Sequence, residues 1–323
     1  MKSQSTDTKF IWICLFAFVL SLPLASAKRK GKTAYLFSYF SGNGEDGLHL
    51  AYSYDGLKWL PLNHGKSFLK PLVGKDSLIR DPSLLLGRDG IFHVVWTTGW
   101  WDKGFGHASS KDLIHWSKEQ YLPVMYYKPL AKNTWAPELF YDHKSKTYYI
   151  FWASTVPGLH PETPDSATEK GLNHRLYFTT TKDFIHYSPT KLFFNPAFSV
   201  IDGAMLYWKG KYWLFIKNEM LRPVQKNIRV TCTRSLNKGF PINVSPPITG
   251  HYWAEGPSPL LIGKYVYVYF DKYREHTYGA VRSTDGIHWQ NVSSFVSFPA
   301  GTRHGTALRV PVTVLNRLIS LTR

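Results

Sequence analysis

The chain has 323 residues, of which 44% are hydrophobic, 16% aromatic and 19% charged. This composition excludes a disordered or collagen-like protein, and the length allows either two average domains or one large all-β domain. Lysine and arginine number 39 against 22 aspartates and glutamates, so a surface of net charge +17 should attract polyanions. Nucleic acid is not expected, since no basic helix, zinc-ligand spacing or RNA-binding module accompanies the charge. An acidic polysaccharide fits the charge equally well, as does a solvated surface with no specific anion.

The N-terminal segment, residues 1–27, is typical of a secretory signal peptide. Two lysines precede an apolar run from Phe10 to Leu24, and a small-residue cleavage site ends at Ala27. The run is too short to span a membrane comfortably, and basic residues follow it at once. The sequence predicts a secreted or periplasmic domain over residues 28–323, free of the membrane after cleavage. Cys232 is its one cysteine, so no internal disulfide is expected.

A unit that recurs five times along this domain sets the expected architecture. The last part of each unit, called its tail here, has an Asp or Asn in a turn sequence. These residues recur at steps of 57, 71, 54 and 48 residues: Asp55, Asp112, Asp183, Asn237 and Asp285. Such side chains bond their own following backbone in turns. Units of about fifty residues with three or four short strands are typical of propeller blades. The sequence therefore predicts an all-β, five-bladed β-propeller in one domain.

Two strand-like runs with alternating or aromatic-rich patterns precede each tail. The first runs are expected at residues 33–40, 91–98, 147–154, 211–217 and 264–271. The second runs are expected at 48–53, 104–109, 174–180, 227–233 and 277–283. No run outside the signal segment shows helical periodicity of useful length. The longest insertion, residues 157–173, is expected to overhang the mouth of the ring as a specificity loop.

An innermost strand should lie before each strand pair, around residues 80–84, 136–139, 201–205, 254–258 and 303–307. The last of these should pair with the N-terminal strand and close the ring. Each stretch carries one ionisable residue at the equivalent place, so all five should point into one funnel: Asp81, Glu138, Asp202, Glu255 and His304. Crowded carboxylates push their pKa values apart, which leaves one as a general acid and another as a base, the equipment of glycoside hydrolysis.

Five segments at these strands resemble glycoside hydrolase family 43 in order and spacing: Arg80-Asp81-Pro82, Thr134-Trp135-Ala136-Pro137-Glu138, Ile201-Asp202-Gly203, Ala254-Glu255-Gly256-Pro257 and Arg303-His304-Gly305-Thr306. The resemblance extends from about Tyr35 to Pro311 and implies a propeller hydrolase acting on arabinose, xylose or some galactose linkages. It implies that Asp81 is the general base, Glu255 the general acid and Asp202 the residue that tunes the acid. A strand pair precedes Asp81, unlike in many members, which leaves the subfamily open.

Blade order supports these roles independently of the resemblance. Asp202 and Glu255 lie on neighbouring blades, where a negative charge should raise the pKa of the acid. Asp81 and Glu255 are separated by the blade that bears His304, which leaves room for a water between them, as inversion requires.

Further residues are expected to contact the substrate. Arg80 should either steer the Asp81 carboxylate or bind sugar hydroxyls. Trp135 offers a flat ring close to the funnel, and Trp253 alternates to the same strand face as Glu255.

Two channel residues have more than one expected role. Glu138 should either line the substrate site or accept hydrogen bonds from neighbouring backbone. His304 matches a family histidine that faces the channel, often next to a bound ion or water. A structural calcium ion in the channel is compatible with this resemblance, but one histidine is a poor ligand set and no cofactor is required.

The function expected from these residues is inverting hydrolysis by a secreted monomer. Its substrate would be arabinofuranosides or xylosides of plant-type polysaccharide, with the basic surface held on acidic pectin. Two alternatives remain open. One is a hydrolase of the same fold directed at galactan or galactofuranosides, and the other is a carbohydrate-binding propeller without catalysis.

Overall fold

The computed structural model describes residues 32–322, and the predicted signal segment, residues 1–27, lies outside them. Five antiparallel sheets of three or four strands make up most of the described chain. Their innermost strands contact one another in a closed cycle around a central channel. The predicted five-bladed propeller is confirmed.

The five sheets are numbered as blades in chain order. Blade 1 contains β1 (Thr33–Phe40), β2 (His49–Ser53), β3 (Leu60–Pro61) and the late strand β19 (Arg303–Pro311). Blade 2 contains β4 (Arg80–Leu86), β5 (Phe92–Thr97), β6 (Phe105–Ser110) and β7 (Gln120–Leu122). Blade 3 contains β8 (Trp135–Asp142), β9 (Thr147–Thr155), β10 (His174–Thr181) and β11 (Lys191–Phe194).

Blade 4 contains only β12 (Val200–Trp208), β13 (Lys211–Asn218) and β14 (Asn227–Thr233). Blade 5 contains β15 (Glu255–Ile262), β16 (Tyr265–Lys272), β17 (Thr277–Ser283) and β18 (Gln290–Asn291). Short 3-10 helices occupy Asn63–Gly65, Asp165–Ala167, Glu169–Gly171, Leu236–Lys238 and Ser293–Phe295. The innermost strands are β19, β4, β8, β12 and β15.

The repeated tails form turns, as their sequence predicts. In blade 2, Asp112 Oδ1 accepts hydrogen bonds from the backbone amides of Ile114 and His115 at 2.9 and 2.8 Å. The tails of blades 1, 3 and 5 make the same pair of bonds. Blade 4 has Asn237 instead, inside a 3-10 helix, and it has no fourth strand within the described residues. The degenerate copy of the repeat therefore coincides with the shortened blade.

The expectation that the domain has no helix was wrong. Val312–Leu321 forms α1 directly after β19 and buries Leu315 and Leu318 against a core cluster of blades 1 and 2. Its apolar residues recur at helical spacing, but they follow a β-strand without a polar break, which hides the change of period. No helix between residues 32 and 322 has the length and apolar character needed to cross a bilayer.

The ring closes inside blade 1, as predicted. β19 pairs with β1 in antiparallel register, from Thr33 opposite Pro311 to Phe40 opposite Arg303. At Gly305 the two backbones approach so closely that a methyl group there would overlap the carbonyl oxygen of Ser38. A glycine is required because neither backbone can move without breaking the pairing.

We expect Gly305→Ala to lower the free energy of unfolding by about 3 kcal/mol, because the added methyl group pushes β1 from β19. Gly301→Ala is the control, since its methyl group would meet no atom within 4 Å and it carries only the cost of a positive φ, about 1 kcal/mol. Urea unfolding of both variants measures the difference. Equal losses would show that the contact with Ser38 contributes nothing.

Candidate active site

A β-bulge near the start of every innermost strand aims side chains at one end of the channel. Pairing with the neighbouring strand shifts register there in all five blades. In blades 2 to 5 the first residue of the bulge has a positive φ: 49° at Asp81, 46° at Ala136, 52° at Asp202 and 59° at Gly256. Bulges of this kind redirect side chains beside active sites. Two adjacent residues of one strand can therefore both reach the channel mouth.

The bulges define which residues are equivalent, and they correct the alignment made from the sequence. The last paired positions before the bulges are Arg80, Trp135, Ile201, Glu255 and Arg303. The first positions of the bulges themselves are Asp81, Ala136, Asp202, Gly256 and His304. The prediction of five equivalent ionisable residues was wrong, because Glu255 stands one position earlier and Glu138 two positions later than the others. A bulge cannot be recognised from the alternation of apolar and polar residues along a strand.

All five of the last paired positions before the bulges line one cavity of about 320 Å³. Of the predicted site residues, the cavity brings together six: Arg80, Asp81, Trp135, Asp202, Glu255 and His304. Glu138 and Trp253 do not line it. The predicted base, acid and tuning residue thus meet at one mouth of the channel, on blades 2, 5 and 4.

Glu138 lies deeper in the channel than the cavity. It lines a different cavity of about 370 Å³ and accepts a hydrogen bond from Thr306 Oγ1 at 3.2 Å. Burial raises the pKa of Glu138 to about 7. The structure therefore places Glu138 outside the cavity that the other site residues line, and its hydrogen-bond partner among the described residues is a side-chain hydroxyl rather than backbone.

Trp253 lies beside the cavity but does not line it. The Arg274 guanidinium lies 3.9 Å from its ring centroid, and the Tyr273 ring lies 5.9 Å away. Strand β15 begins only at Glu255, so the two-residue alternation used to place Trp253 beside the acid does not apply. The half-buried ring therefore contacts Arg274 and Tyr273 beside the cavity, and its expected contact with a sugar stays a prediction.

An aromatic wall covers the side of the cavity formed by blades 2 and 3. Trp100 and Trp101 follow β5, and Trp135 begins β8. Trp135 Nε1 donates to the backbone oxygen of Trp100 at 2.8 Å, and Trp100 Nε1 donates to Asn43 Oδ1 at 3.2 Å. Trp101 remains 55% exposed. Flat rings fixed by their own N–H groups can stack on the apolar face of a sugar.

Asp81 is an ionised carboxylate with both oxygens engaged. Thr97 Oγ1 donates to its Oδ2 at 2.9 Å, and His304 Nδ1 lies 3.3 Å from its Oδ1. Burial alone would raise the pKa of Asp81, but His304, Arg80 and Thr97 lower it to about 2. The group is therefore unprotonated at any physiological pH, as a general base must be.

His304 lies between the two aspartates, with Nδ1 3.3 Å from Asp81 Oδ1 and 3.9 Å from Asp202 Oδ1. Burial would lower the pKa of His304, but the surrounding carboxylates raise it to about 9. A protonated imidazole has no lone pair for a metal. Within residues 32–322, no three His, Cys, Asp or Glu side chains are grouped as metal ligands. The residues around His304 therefore do not fit the channel calcium ion that the resemblance allows.

The pKa values of Asp202 and Glu255 are shifted in opposite directions. Burial, with repulsion from Glu255 and Asp81, raises the pKa of Asp202 to about 6. Burial would also raise the pKa of Glu255, but nearby cations, Lys217 foremost, lower it. The pKa of Glu255 is not raised as expected, because the cations that the fold places beside the acid outweigh its repulsion by nearby carboxylates.

Both carboxylate oxygens of Glu255 form ion pairs. Lys217 Nζ lies 3.1 Å from Oε2, and Arg303 Nη2 lies 3.2 Å from Oε1. Each cation also has a second acidic partner. Lys217 Nζ is 2.8 Å from Glu219 Oε2, and Arg303 Nε is 2.7 Å from Asp271 Oδ2. Glu255 is therefore held in a network of alternating charges.

The network extends to the insertion between β9 and β10. Lys226, whose side chain is fully buried, pairs with Glu219 and lies 2.7 Å from Glu169 Oε2. Glu169 belongs to the insertion at 157–173, two further residues of which line the cavity: Lys170 and Leu172. The insertion therefore contributes to the wall of the cavity at its mouth.

Sequence reasoning missed this network. Lys217 ends the otherwise apolar run of β13, and Glu219 follows it closely. Charged residues are seldom buried without a partner, so a lysine within a core strand is the signal that could have found them. Glu255, with which Lys217 forms an ion pair, is 38 residues away along the chain, and the sequence shows no link between the two.

Three carboxylates gathered with a histidine at one mouth of a five-bladed ring define a propeller of the glycoside hydrolase type. A family model related to glycoside hydrolase family 43 and described as "Probable glycosyl hydrolase domain" matches residues 31–315. The chain belongs to this family of glycosyl hydrolase domains.

Individual relatives agree with the family. The chain is 25% identical over 116 residues to an α-L-arabinofuranosidase of Bifidobacterium longum subsp. longum, a match that spans 34% of this chain and only 11% of that protein. The solved α-L-arabinofuranosidase from Lactobacillus brevis has a TM-score of 0.50 and 15% identity, over 66% of this chain and 72% of its own. A family 43 β-1,3-galactosidase has a TM-score of 0.51 and 15% identity, over 71% and 46%. These structural likenesses show the fold.

Proposed function

We propose that this chain hydrolyses O-glycosidic bonds with inversion of configuration. The observation that carries the proposal is the meeting of Asp81, Asp202 and Glu255, from three blades, in one cavity of about 320 Å³. A cavity of this size suits a small ligand such as one end of a glycan. The aromatic wall formed by Trp100, Trp101 and Trp135 supplies a face for the sugar ring.

Asp81 acts as the general base in this proposal. It removes a proton from the water that attacks the anomeric carbon on the face opposite the leaving group. Its lowered pKa keeps it ready to accept that proton, and Thr97 and His304 fix its two oxygens. The cationic His304 also offsets the charges of Asp81 and Asp202, so two carboxylates can stay close together.

Glu255 acts as the general acid and protonates the leaving oxygen. Its side chain is 18% exposed, against 13% for Asp81 and 6% for Asp202, so it is the most accessible of the three carboxyl groups. Asp202 Oδ2 accepts a hydrogen bond from the backbone N–H of Gly256, next to the acid, at 3.1 Å. Asp202 thereby fixes the strand that presents Glu255.

We expect kcat/KM to be highest at acid pH. Asp81 must be ionised, which its pKa of about 2 ensures, and Glu255 must be protonated, which becomes rarer as the pH rises through its lowered pKa. The decline should therefore begin below the ordinary glutamate pKa of about 4.3. A pH–rate profile measured on the free enzyme under kcat/KM conditions tests this. A plateau that extends through neutral pH would contradict it.

The proposed substrates are arabinofuranosides or xylosides of plant-type polysaccharide. Similarity to the arabinofuranosidase of Bifidobacterium longum supports this choice. The second candidate is a galactose-directed hydrolase, which the structural likeness to a β-1,3-galactosidase favours. Both candidates use the same three carboxylates, so the walls of the cavity decide between them.

The experiment is release of nitrophenol from a panel of arabinofuranoside, xyloside, galactoside and galactofuranoside substrates. Turnover on one member, with the inverted anomer appearing first in the NMR spectrum, supports the proposal and identifies the sugar. Retention of configuration would overturn the assignment of Asp81 as base. Silence on every substrate, with binding to polysaccharide retained, would favour a propeller that only binds carbohydrate.

We also propose export of the domain from the cell and residence on acidic pectin. The signal-like segment at residues 1–27 supports export, and the net charge of +17 supports attraction to a polyanion. Such attraction is screened by salt. Binding to pectin that does not weaken as salt is added would contradict the second part.

A further inference from the structure

Similar numbers of carboxylates and cations line the cavity, but not all of the cations form ion pairs. Every carboxylate of the lining lies within 4.0 Å of a cation. Asp81 and Asp202 pair with His304, Glu169 pairs with Lys226, and Glu219 and Glu255 pair with Lys217. Two cations of the lining, Arg80 and Lys170, take part in none of the ion pairs found between residues 32 and 322. Arg80 and Lys170 are therefore the two cations of the lining that no carboxylate of the described chain holds in an ion pair.

Arg80 is held with part of its guanidinium unused. The group stacks 4.3 Å from the Trp100 ring centroid and 4.7 Å from that of Phe40. Its Nη1 donates to the backbone oxygen and Oδ1 of Asn43 at 3.2 and 2.8 Å. Nε and Nη2 have no hydrogen-bond partner in the part of the chain that the structure describes. A fixed plane with one free N–H edge matches the paired oxygens of a carboxylate or a sulfate.

Lys170 brings a second cation to the same cavity from a different element. It stands in the 3-10 helix Glu169–Gly171 of the insertion, where its backbone has a φ of 53°, and its side chain is exposed. The neighbouring Glu169 pairs with the buried Lys226 and forms no ion pair with Lys170. The wall beside Lys170 is thus anchored by the pair of Lys226 with the half-exposed Glu169, and the Lys170 ammonium is held by no carboxylate of the described chain.

We propose that the cavity selects sugars bearing an anionic substituent, a uronate carboxylate or a sulfate ester, and that Arg80 and Lys170 receive that group. The proposal rests on the proposed hydrolysis, because it concerns the substrate of the same cavity, and it puts an acidic sugar in place of the neutral arabinofuranosides and xylosides named above. The aromatic wall beside Arg80 places a stacking surface and an anion receptor side by side. This arrangement suits an acidic sugar better than a neutral one, whose hydroxyls leave a cation without a counter-charge.

The experiment measures binding by calorimetry and hydrolysis with nitrophenyl glycosides, in parallel. The binding probes are galacturonate and glucuronate, galactose 6-sulfate, and neutral galactose and glucose. We expect an acidic probe to bind at least about tenfold more tightly than its neutral counterpart, and Lys170→Gln to remove most of that preference. Arg80→Gln should do the same, and Lys111→Gln, an exposed lysine in a turn of blade 2, should not.

The outcomes separate this inference from the proposed function. Hydrolysis of neutral glycosides with no preference for acidic probes would overturn the inference and leave the hydrolase intact. Preferential binding of acidic probes without hydrolysis of any glycoside, acidic or neutral, would keep the anion site and overturn the hydrolase. A loss in Lys111→Gln as large as in Lys170→Gln would overturn the inference, since it would show an effect of bulk surface charge. A preference for the sulfate alone, or for uronates alone, identifies the source of the anion.

Discussion

Glu255→Gln should lower kcat by a factor of about 10² to 10⁴ without unfolding the protein, because it removes the proton that the leaving oxygen needs. The fold should persist, since Lys217 keeps Glu219 and Arg303 keeps Asp271 as counter-charges. The loss should be greatest on substrates with poor leaving groups, which depend on protonation. It should be smallest on dinitrophenyl glycosides, whose leaving group departs as an anion. Steady-state kinetics on both kinds of substrate, with circular dichroism for the fold, measure it.

Glu275→Gln is the matched control for this variant. Glu275 pairs with Lys272 on the surface and lies outside the cavity, so its substitution should leave kcat unchanged. A loss in Glu255→Gln that is equal for good and poor leaving groups would argue against proton donation by Glu255. In that case the carboxylate would act through charge or position only.

Lys217→Met should have two large effects. It removes the foremost cation that lowers the pKa of Glu255, so that pKa should rise and activity should persist to higher pH than in the natural protein. It also leaves Glu219 and Glu255 with one buried counter-charge fewer, which should lower the free energy of unfolding by about 3–5 kcal/mol. The pH dependence of kcat/KM and urea unfolding measure the two effects separately.

Lys217→Arg keeps the charge and should keep the pH profile, although the larger guanidinium will strain a site that is only 2% exposed. Lys272→Met removes one member of a surface pair and should cost less than about 1 kcal/mol. An unchanged pH profile in Lys217→Met would show that the titrating acid of the reaction is not Glu255. A changed profile with unchanged stability would locate the effect in catalysis alone.

Much of the fold could be predicted because the information is local. The strands expected at residues 227–233 and 277–283 agree with β14 and β17 to the residue. The alternation of apolar and polar residues and the turn residues that bound it both lie within each repeat. The closing pair β1 and β19 was also predicted, because five repeats leave one inner strand without a partner unless the ends meet. Helix α1 was missed because it begins directly after β19. Both elements are rich in apolar residues, so the change from strand spacing to helix spacing is hidden.

The site could be predicted only in part. The residues of the family motifs meet in the cavity, but Glu138 and Trp253 do not join them, because bulges and strand starts decide where a side chain points. The pKa of Glu255 depends on Lys217, a residue on another blade, and no local pattern couples the two. Contacts between blades are set by the ring as a whole, and they become visible only once it is assembled.

The closing strand also determines when the site can exist. Arg303 and His304, which contact Glu255 and Asp81, are both carried by β19, the last strand of the described chain. As a nascent chain emerges, β1 is made early and must wait for β19 before blade 1 is whole. The imidazolium that balances Asp81 arrives with the same strand that seals the ring. Pairing of β19 with β1 therefore completes the ring and the proposed catalytic centre in one step.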